Sequence, residues 1–505
     1  MEKQELLATI KWPKNKHKHV SKDGEQMKKI YESLDVAESQ LKELFGNGKT
    51  FDVVIQKIYV KNLPVLTVYI SGLVNGTAYA EMLSEIPFEY NEEIEDEIAY
   101  FDRHFNYHGK EKVEKKDDFL LGVLSGRVGF ITLHGYGYLA EFREYPGRSP
   151  EEPDNEKVIR GSRDGFAENI IQNVALIRRR IRSTELRFEM VRLTTYGKTD
   201  VSITYIADLV NEDHLKWLKD RLSQIHHDGL TMADKSLEEW LFKQKFHPLP
   251  FVRYSERPDI VASHLLEGHI AIVVDTSPSV MLIPITVFHL LQHAEEYRQS
   301  PMIGTTMRIL RYGAAILSFL LLPLWYLLVT NEQFLPDRLS FLGVKEAGDV
   351  PLFLQILIAD IGIEYLRIAA IHTPTPLSTA MGLIAGVIIG QIAIDVGLFS
   401  SEVVLYSAIC AIFTFAIPNY ELSISVKVFR ILLLALTALF DHNGFFIGLA
   451  LIFFYLASLK PMNVPYLWPL VPFFPKAMAR VLIRYPMSYD AKRPYITQSK
   501  NRNRS

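Results

Sequence analysis

The sequence predicts an α+β N-terminal domain in two subdomains, followed by an all-α polytopic membrane domain. Three observations carry that fold class. Residues 1–311 are dense in Lys, Arg, Asp and Glu, whereas 312–475 carry few charges. The front part mixes period-two with helical apolar patterning. The back part holds apolar runs such as Tyr312–Val329, about long enough to cross a hydrocarbon core. Whole-chain averages conceal the division: 22 % charged residues, a formal net charge of −3 and a mean hydropathy of +0.07. A near-neutral balance gives no case for nucleic acid as a partner. At 505 residues there is room for roughly two to four domains.

In chain order, residues 1–23 are basic and polar and read as a disordered tail. With no apolar signal-peptide core there, the front domain is expected to stay in the cytoplasm. The first subdomain, 24–145, opens with a helix over Gly24–Phe45, its apolar positions at helical spacing and Gly46 as its stop. Strands follow over Phe51–Val60 and Pro64–Gly72, then a solvated helix and loop over Asn91–Asp118, then strands over 119–145. The second subdomain, 146–300, predicts a helix over Phe166–Ile181, strands near Arg187–Thr195 and Val201–Ala207, and a helix over Glu212–Ile225. The run 269–288 is interrupted by Asp275, Pro278 and Pro284, and reads as two strands leading to the membrane.

The membrane domain spans 301–475. Tyr312–Val329 is the first crossing; Arg308 and Arg311 before it place that end inside. The 330–350 loop, with four acids and two bases, suits the outside. Thr379–Leu398 and Val403–Ile417 are further spans. Ile431–Phe440 and Phe445–Leu459 flank Asp441–Gly444 and form either a tight hairpin or one broken helix. The tail 476–505 has eight Lys or Arg and one acid, so it belongs inside and the crossings number four or six. Leu352–Ile371 decides between them. It is apolar except for Gln355, Asp360, Glu364 and Arg367, and the last three share one helical face. Such a stripe must face protein or water, either lining a cation path or holding the bundle together by salt bridges. Gly382, Gly386 and Gly390 clear one face of the next span for close helix packing, with Gln391 and Asp395 four apart near its end.

Catalysis finds no foothold. Gly135 and Gly137 mimic part of a dinucleotide loop but lie in a strand pattern. His289 and His293, four apart on an expected helix, lack a third metal ligand. Arg178, Arg179, Arg180 and Arg182 at a helix end suit the helix dipole and acid partners, with phosphate or lipid headgroups as the alternative. The single cysteine, Cys410, excludes an intrachain disulfide. No catalytic residue, cofactor or metal site is expected.

Four ordered blocks carry a family resemblance: PGRSPEEPDNEKVIRGSRDGFAENIIQNVALIRRRIRSTELRFE (146–189), ERPDIVASHLLEGHIAIVVDTSP (256–278), AIPNYELSISVKVFR (416–430), and YLASL with VPYLWP (455–469). They resemble the A subunits of the GerA-type spore germinant receptors. HLLQHAEEYRQ (289–299) and AAIHTPTPLSTAMGL (369–383) look most like the branch called stage V sporulation protein AF. The resemblance implies a multi-pass protein of the spore inner membrane, with both termini on the cytoplasmic, spore-core side. It implies an oligomeric ion channel that releases monovalent cations and amplifies germination, working with a small membrane partner and other germination proteins. Asp360, Glu364 and Arg367 fit the family's charged membrane helix. His269 departs from it, standing where receptor subunits commonly carry Arg after Leu-Glu-Gly.

The expectation is therefore a homo-oligomeric channel subunit, with Asp360, Glu364, Arg367 and Gln391 as candidate pore lining and Gly382, Gly386 and Gly390 as helix packing. The rival is a non-conducting scaffold that clusters germinant receptors. A carrier of an organic anion such as dipicolinate would need a broken-helix or basic site, for which Arg367 and Asp441–Gly444 are the main material.

Overall fold

The computed structural model describes residues 28–503 except 61–62, 85–96, 106–108, 146–155, 157, 245, 332, 334–340, 346–348, 373–381, 385, 487 and 489–491. The expected disordered tail at 1–23 lies outside the described residues, as do parts of 91–118, of the 330–350 loop and of 476–505.

The first antiparallel sheet has strands β1 (Val53–Val60), β2 (Leu63–Ile70), β3 (Glu111–Val113), β4 (Val128–Ile131) and β5 (Gly137–Ala140), in the order β1-β2-β4-β5-β3. Period-two burial separates its two cores. Leu66, Val68 and Ile70 face helices α1 (Leu34–Leu44) and α4 (Lys116–Leu124). Val65, Phe130 and Tyr138 face α2 (Gly76–Ser84) and α3 (Glu97–His104). Two expectations are corrected here. Residues 119–124 form a helix, not a strand, because Phe119 and Val123 recur at helical spacing and both bury on the sheet. Within 91–118, Phe101 and Phe105 enter the core, so that piece is no merely solvated helix.

The second sheet repeats the pattern with β6 (Leu186–Leu193), β7 (Thr199–Ile206), β8 (Arg253–Ser255), β9 (Ile270–Val274) and β10 (Val280–Ile283), in the order β6-β7-β9-β10-β8. Strand β9 is apolar throughout because both faces are covered. Ala271 and Val273 meet α5 (Ile170–Arg180) and α8 (Pro258–Leu266), while Ile270, Ile272 and Val274 meet α6 (Glu212–Ser223) and α7 (Ala233–Phe242). Within the arginine cluster, Arg178 ties the second sheet unit to the first. Arg178, fully buried, forks onto Asp52 (2.9 and 3.1 Å), while Arg180 binds Asp164.

Short helices α9 (Val287–Leu290) and α10 (Ala294–Arg298) lead to α11 (Pro301–Thr330). His289 and His293 fall in or beside different helices, so they do not share a face. Buried Glu296 clamps both Arg308 (2.7 Å) and Arg311 at the base of α11. Next come α12 (Leu352–His372), a π-helical segment (Gly386–Ile392) continuing through Ala393–Asp395, then α13 (Ser401–Phe415) and α14 (Tyr420–Ser458).

Helix α14 is a hairpin. Backbone angles break at Phe440 and Asp441, and the rings of Phe429 and Tyr455 lie 6.0 Å apart. In one straight helix residues that far apart in sequence would sit about 39 Å apart. Gly444 seats against the Leu436 carbonyl and Gly448 against Leu433, so residues 442–458 pack back along 420–439. The other helices also alternate in direction. The start of α12 meets the end of α11 through Leu352, Ile356, Trp325 and Val329, and its far end carries Arg367 to Tyr420. Asp349 N–H donates to Gly397 O (3.1 Å), which returns the π-helical segment to the level of Asp349. Helix α13 then descends from Trp325 and Tyr406 to Phe415 beside Arg367. After α14 and α15 (Pro475–Leu482), residues 493–500 strap onto the second sheet unit. Lys500 N–H donates to Leu209 O (3.1 Å), and Thr497 Oγ1 to Glu267 O (2.8 Å).

Candidate functional site

The helices meet around a buried ion-pair cluster. Arg430, three residues from Lys427 on one face of α14, forks onto Asp360 of α12 through Nη2 (2.6 Å) and Nε (3.3 Å). Its Nη1 reaches Ser318 O of α11 (2.6 Å), then Cys410 Sγ (3.0 Å) and Thr414 Oγ1 (3.2 Å) of α13. One guanidinium thereby ties four helices. Lys427 Nζ bonds Glu364 (2.7 Å) and Asp360 O (3.2 Å). Arg367 lies 3.9 Å from Glu364 and stacks over Tyr420 at 4.4 Å. Asp360, Lys427 and Arg430 are buried. Two carboxylates face three cations, a formal sum of +1.

Of the residues expected to line a pore, the structure thus brings Asp360, Glu364 and Arg367 together and pairs both carboxylates within one chain. It leaves Gln391 apart, exposed with Asp395 on the 386–395 segment. A Cβ at Gly382, Gly386 or Gly390 would meet nothing within 4 Å, so no described part of this chain fills the glycine face. Lys427 and Arg430 were missed because counting the apolar span from Ile431 left them outside it. Their signal was two bases three apart, within helical reach of an acidic stripe. The arrangement offers ion pairing and helix bracing, with no nucleophile–base pair.

At the base of the helices Lys235 Nζ bridges Glu238 of α7 (2.8 Å) and Glu421 of α14 (2.9 Å). Ser425 Oγ donates to Pro248 O beside it. The second sheet unit is therefore fastened directly to the first arm of the hairpin.

Nearby, His264, His269 and His289 form a buried trio with ring centroids 5.0, 5.4 and 6.1 Å apart. Nδ1–H of His264 donates to Ile260 O (2.9 Å) and that of His269 to His264 O (3.1 Å), leaving both Nε2 atoms as acceptors. Thr286 N–H donates to His289 Nδ1 (3.2 Å), so that ring carries its proton on Nε2. Among the described residues no group of three or more His, Cys, Asp or Glu is placed to hold a metal ion. Burial, reinforced by the Arg253 and His214 neighbours, pushes His269 down to about 4; burial, with Arg253 beside them, holds His264 and His289 well below the usual histidine range. Between pH 6.5 and about 4 the unfolded chain takes up protons that the folded one refuses. Stability is then fully present above pH 6.5 and is lost on acidification, by about 2 kcal/mol at pH 5 for His269 alone. The thermal midpoint of the purified protein should fall from about pH 7.5 to about pH 5, and the His269→Asn variant should show a shallower fall.

Comparison with known proteins gives a consistent set of relatives. The family model for the Bacillus/Clostridium GerA spore germination protein matches residues 39–496. Stage V sporulation protein AF of Bacillus subtilis is 45 % identical over 95 % of this chain and 98 % of its own length. Spore germination protein KA of Bacillus subtilis is 30 % identical, covering 88 % of this chain and 84 % of its own. Spore germination protein GerLA of Bacillus cereus is 28 % identical, covering 86 % and 89 %. A crystal structure of the N-terminal domain of the A subunit of the Bacillus megaterium spore germinant receptor GerK3 aligns with a TM-score of 0.38 and 24 % identity, over 51 % of this chain and 97 % of that one.

Proposed function

Because this chain belongs to the GerA family of spore germination proteins, we propose that it acts in germination as a subunit of a homo-oligomeric channel in the spore inner membrane, releasing monovalent cations. On this reading α11, α12, the 382–396 segment, α13 and the two arms of α14 each cross the membrane. Both ends of the chain then lie on the front-domain side, since residues 493–500 pack on the second sheet unit. The 24–145 and 146–300 subdomains are the platform for gating, for a small membrane partner and for other germination proteins. Lys235 is the mechanical link from that platform to α14.

One observation carries the proposal. Among the described residues, nothing of this chain packs on Gly382, Gly386 or Gly390, and Gln391 and Asp395 are exposed beside that glycine face. Small residues along an uncovered face suit close packing against another copy, with Gln391 and Asp395 near the end of the span where water can reach them. Its π-helical turn is a form often kept at functional sites. A ring of copies would place Gln391 and Asp395 along the water path. The paired Asp360 and Glu364 would brace each subunit.

The test is potassium efflux from liposomes holding the purified oligomer. We expect Asp395→Asn to cut cation flux by roughly threefold or more with the oligomer intact. The Asp360→Asn/Glu364→Gln variant should lose flux only together with assembly. Undiminished flux in Asp395→Asn, with loss in an intact Asp360/Glu364 variant, would return the lining to α12. Absence of flux from an intact parent oligomer would favour the non-conducting scaffold.

A further inference from the structure

The stretch that follows the α14 hairpin combines features that the channel reading does not use. From Leu459 to Pro486 it contains Lys460, Lys476, Arg480 and Arg484 and no acid. Lys476 and Arg480, four apart on α15, are exposed, and so are Phe473 and Ile483, which flank its two ends. Phe473 is 64 % exposed, and beside α15 the first turn of α11 presents Met302, 82 % exposed. Large apolar side chains interleaved with bases are the composition of a helix lying in a membrane interface.

Depth is fixed by contacts with α11. Arg308 Nη1 donates to Arg480 O (3.1 Å) and Val481 O (3.2 Å), and Arg484 N–H donates to Thr305 Oγ1 (3.1 Å). Arg308 stands one turn before Tyr312, where the apolar run of α11 begins. The basic segment is therefore held at the level where that helix enters its apolar stretch, on the front-domain side. Val481 and Leu482 anchor it to the core around Tyr312 and Leu249.

From this geometry we infer that residues 473–485 form an interfacial platform that binds the headgroups of anionic phospholipids on the front-domain side of the membrane. The inference rests on the reading that α11 and α14 cross a membrane. Phe473, Ile483 and Met302 enter the boundary between headgroups and chains, while Lys476 and Arg480 meet phosphate. Arg480 does so while donating to Lys492 O (3.1 Å), which fixes its direction. Two bases at an anionic surface strengthen binding by about thirty-fold.

The full-length protein in neutral detergent micelles is the test system. Doping with phosphatidylglycerol should raise the thermal midpoint, and phosphatidylcholine or inorganic phosphate should not. Lys476→Gln/Arg480→Gln should lose more than half of that rise while keeping its midpoint in undoped micelles. If the double variant does not fold, Lys476→Gln alone should lose a smaller part. An equal rise with phosphatidylcholine or free phosphate, or an undiminished rise in the variants, would overturn the inference. So would a photo-crosslinker at position 483 that captured a second copy instead of lipid. Retention of the parent in alkaline-washed membranes separates the two readings: release would sink the crossing assignment itself, whereas retention without a lipid effect would sink only the platform.

Discussion

Replacing Arg430 by methionine is expected to cost about 3–5 kcal/mol, enough to remove most folded protein from a detergent extract. The cause is what the substitution leaves behind. Asp360 would lose its fork of two bonds, and Ser318 O, Cys410 and Thr414 would lose the donor they share, leaving the Cys410 Sγ–Ser318 O bond (3.3 Å) to join α11 to α13 there. Lys427 already pairs with Asp360 at 3.5 Å but compensates only in part, because its shorter bond, at 2.7 Å, is to Glu364. Asp360→Leu combined with Arg430→Met removes one charge of each sign, so the formal sum of +1 is unchanged. The double variant should recover much of the loss, as apolar replacements of buried pairs do. The measurement is the monodisperse fraction and thermal midpoint of the parent, both singles and the double. A lone Arg430→Met variant as stable as the parent would dismiss the cluster as a brace.

The second large effect is at Gly444. A Cβ there would overlap the Leu436 carbonyl oxygen, a backbone atom that no rotamer change can move aside. Gly444→Ala should therefore splay the arms of α14 near their turn and cost about 3 kcal/mol. Gly448→Ala is the control, since its nearest neighbours are the flexible ends of Leu433 and Leu436 at 2.9 Å. The rate at which a protease cleaves near Asp441 in reconstituted protein reports the splaying. Equal rates in Gly444→Ala and parent would count against a tight hairpin.

Much of this architecture was legible in the residues. Strands β9 and β10 were readable as the two strands of the run 269–288, and α11 by the apolar length of Tyr312–Val329. Helix α4 was not legible as a helix: its LLGVL run has no polar face, since Leu120 and Leu121 are apolar too, so spacing alone could not separate the two forms. The acidic stripe of α12 was plain, because Asp360 and Glu364 stand in an apolar helix. Their partners were not, because pairing between residues 63 and 70 positions apart depends on how α12 crosses α14. In the same way, Asp441–Gly444 marked a break, and only the contact of Phe429 with Tyr455 made it a reversal.

The strap formed by residues 493–500 also orders events in time. Its acceptors, Leu209 O and Glu267 O, belong to a sheet unit translated more than two hundred residues earlier. That unit must wait, with Gly268 and the neighbouring backbone uncovered, until all the helices between have been synthesised and the strap has emerged behind them. Completion of the front domain thus reports that the helical part has been made in full. A chain whose synthesis stalls among the helices would display an unfinished edge on the second sheet unit.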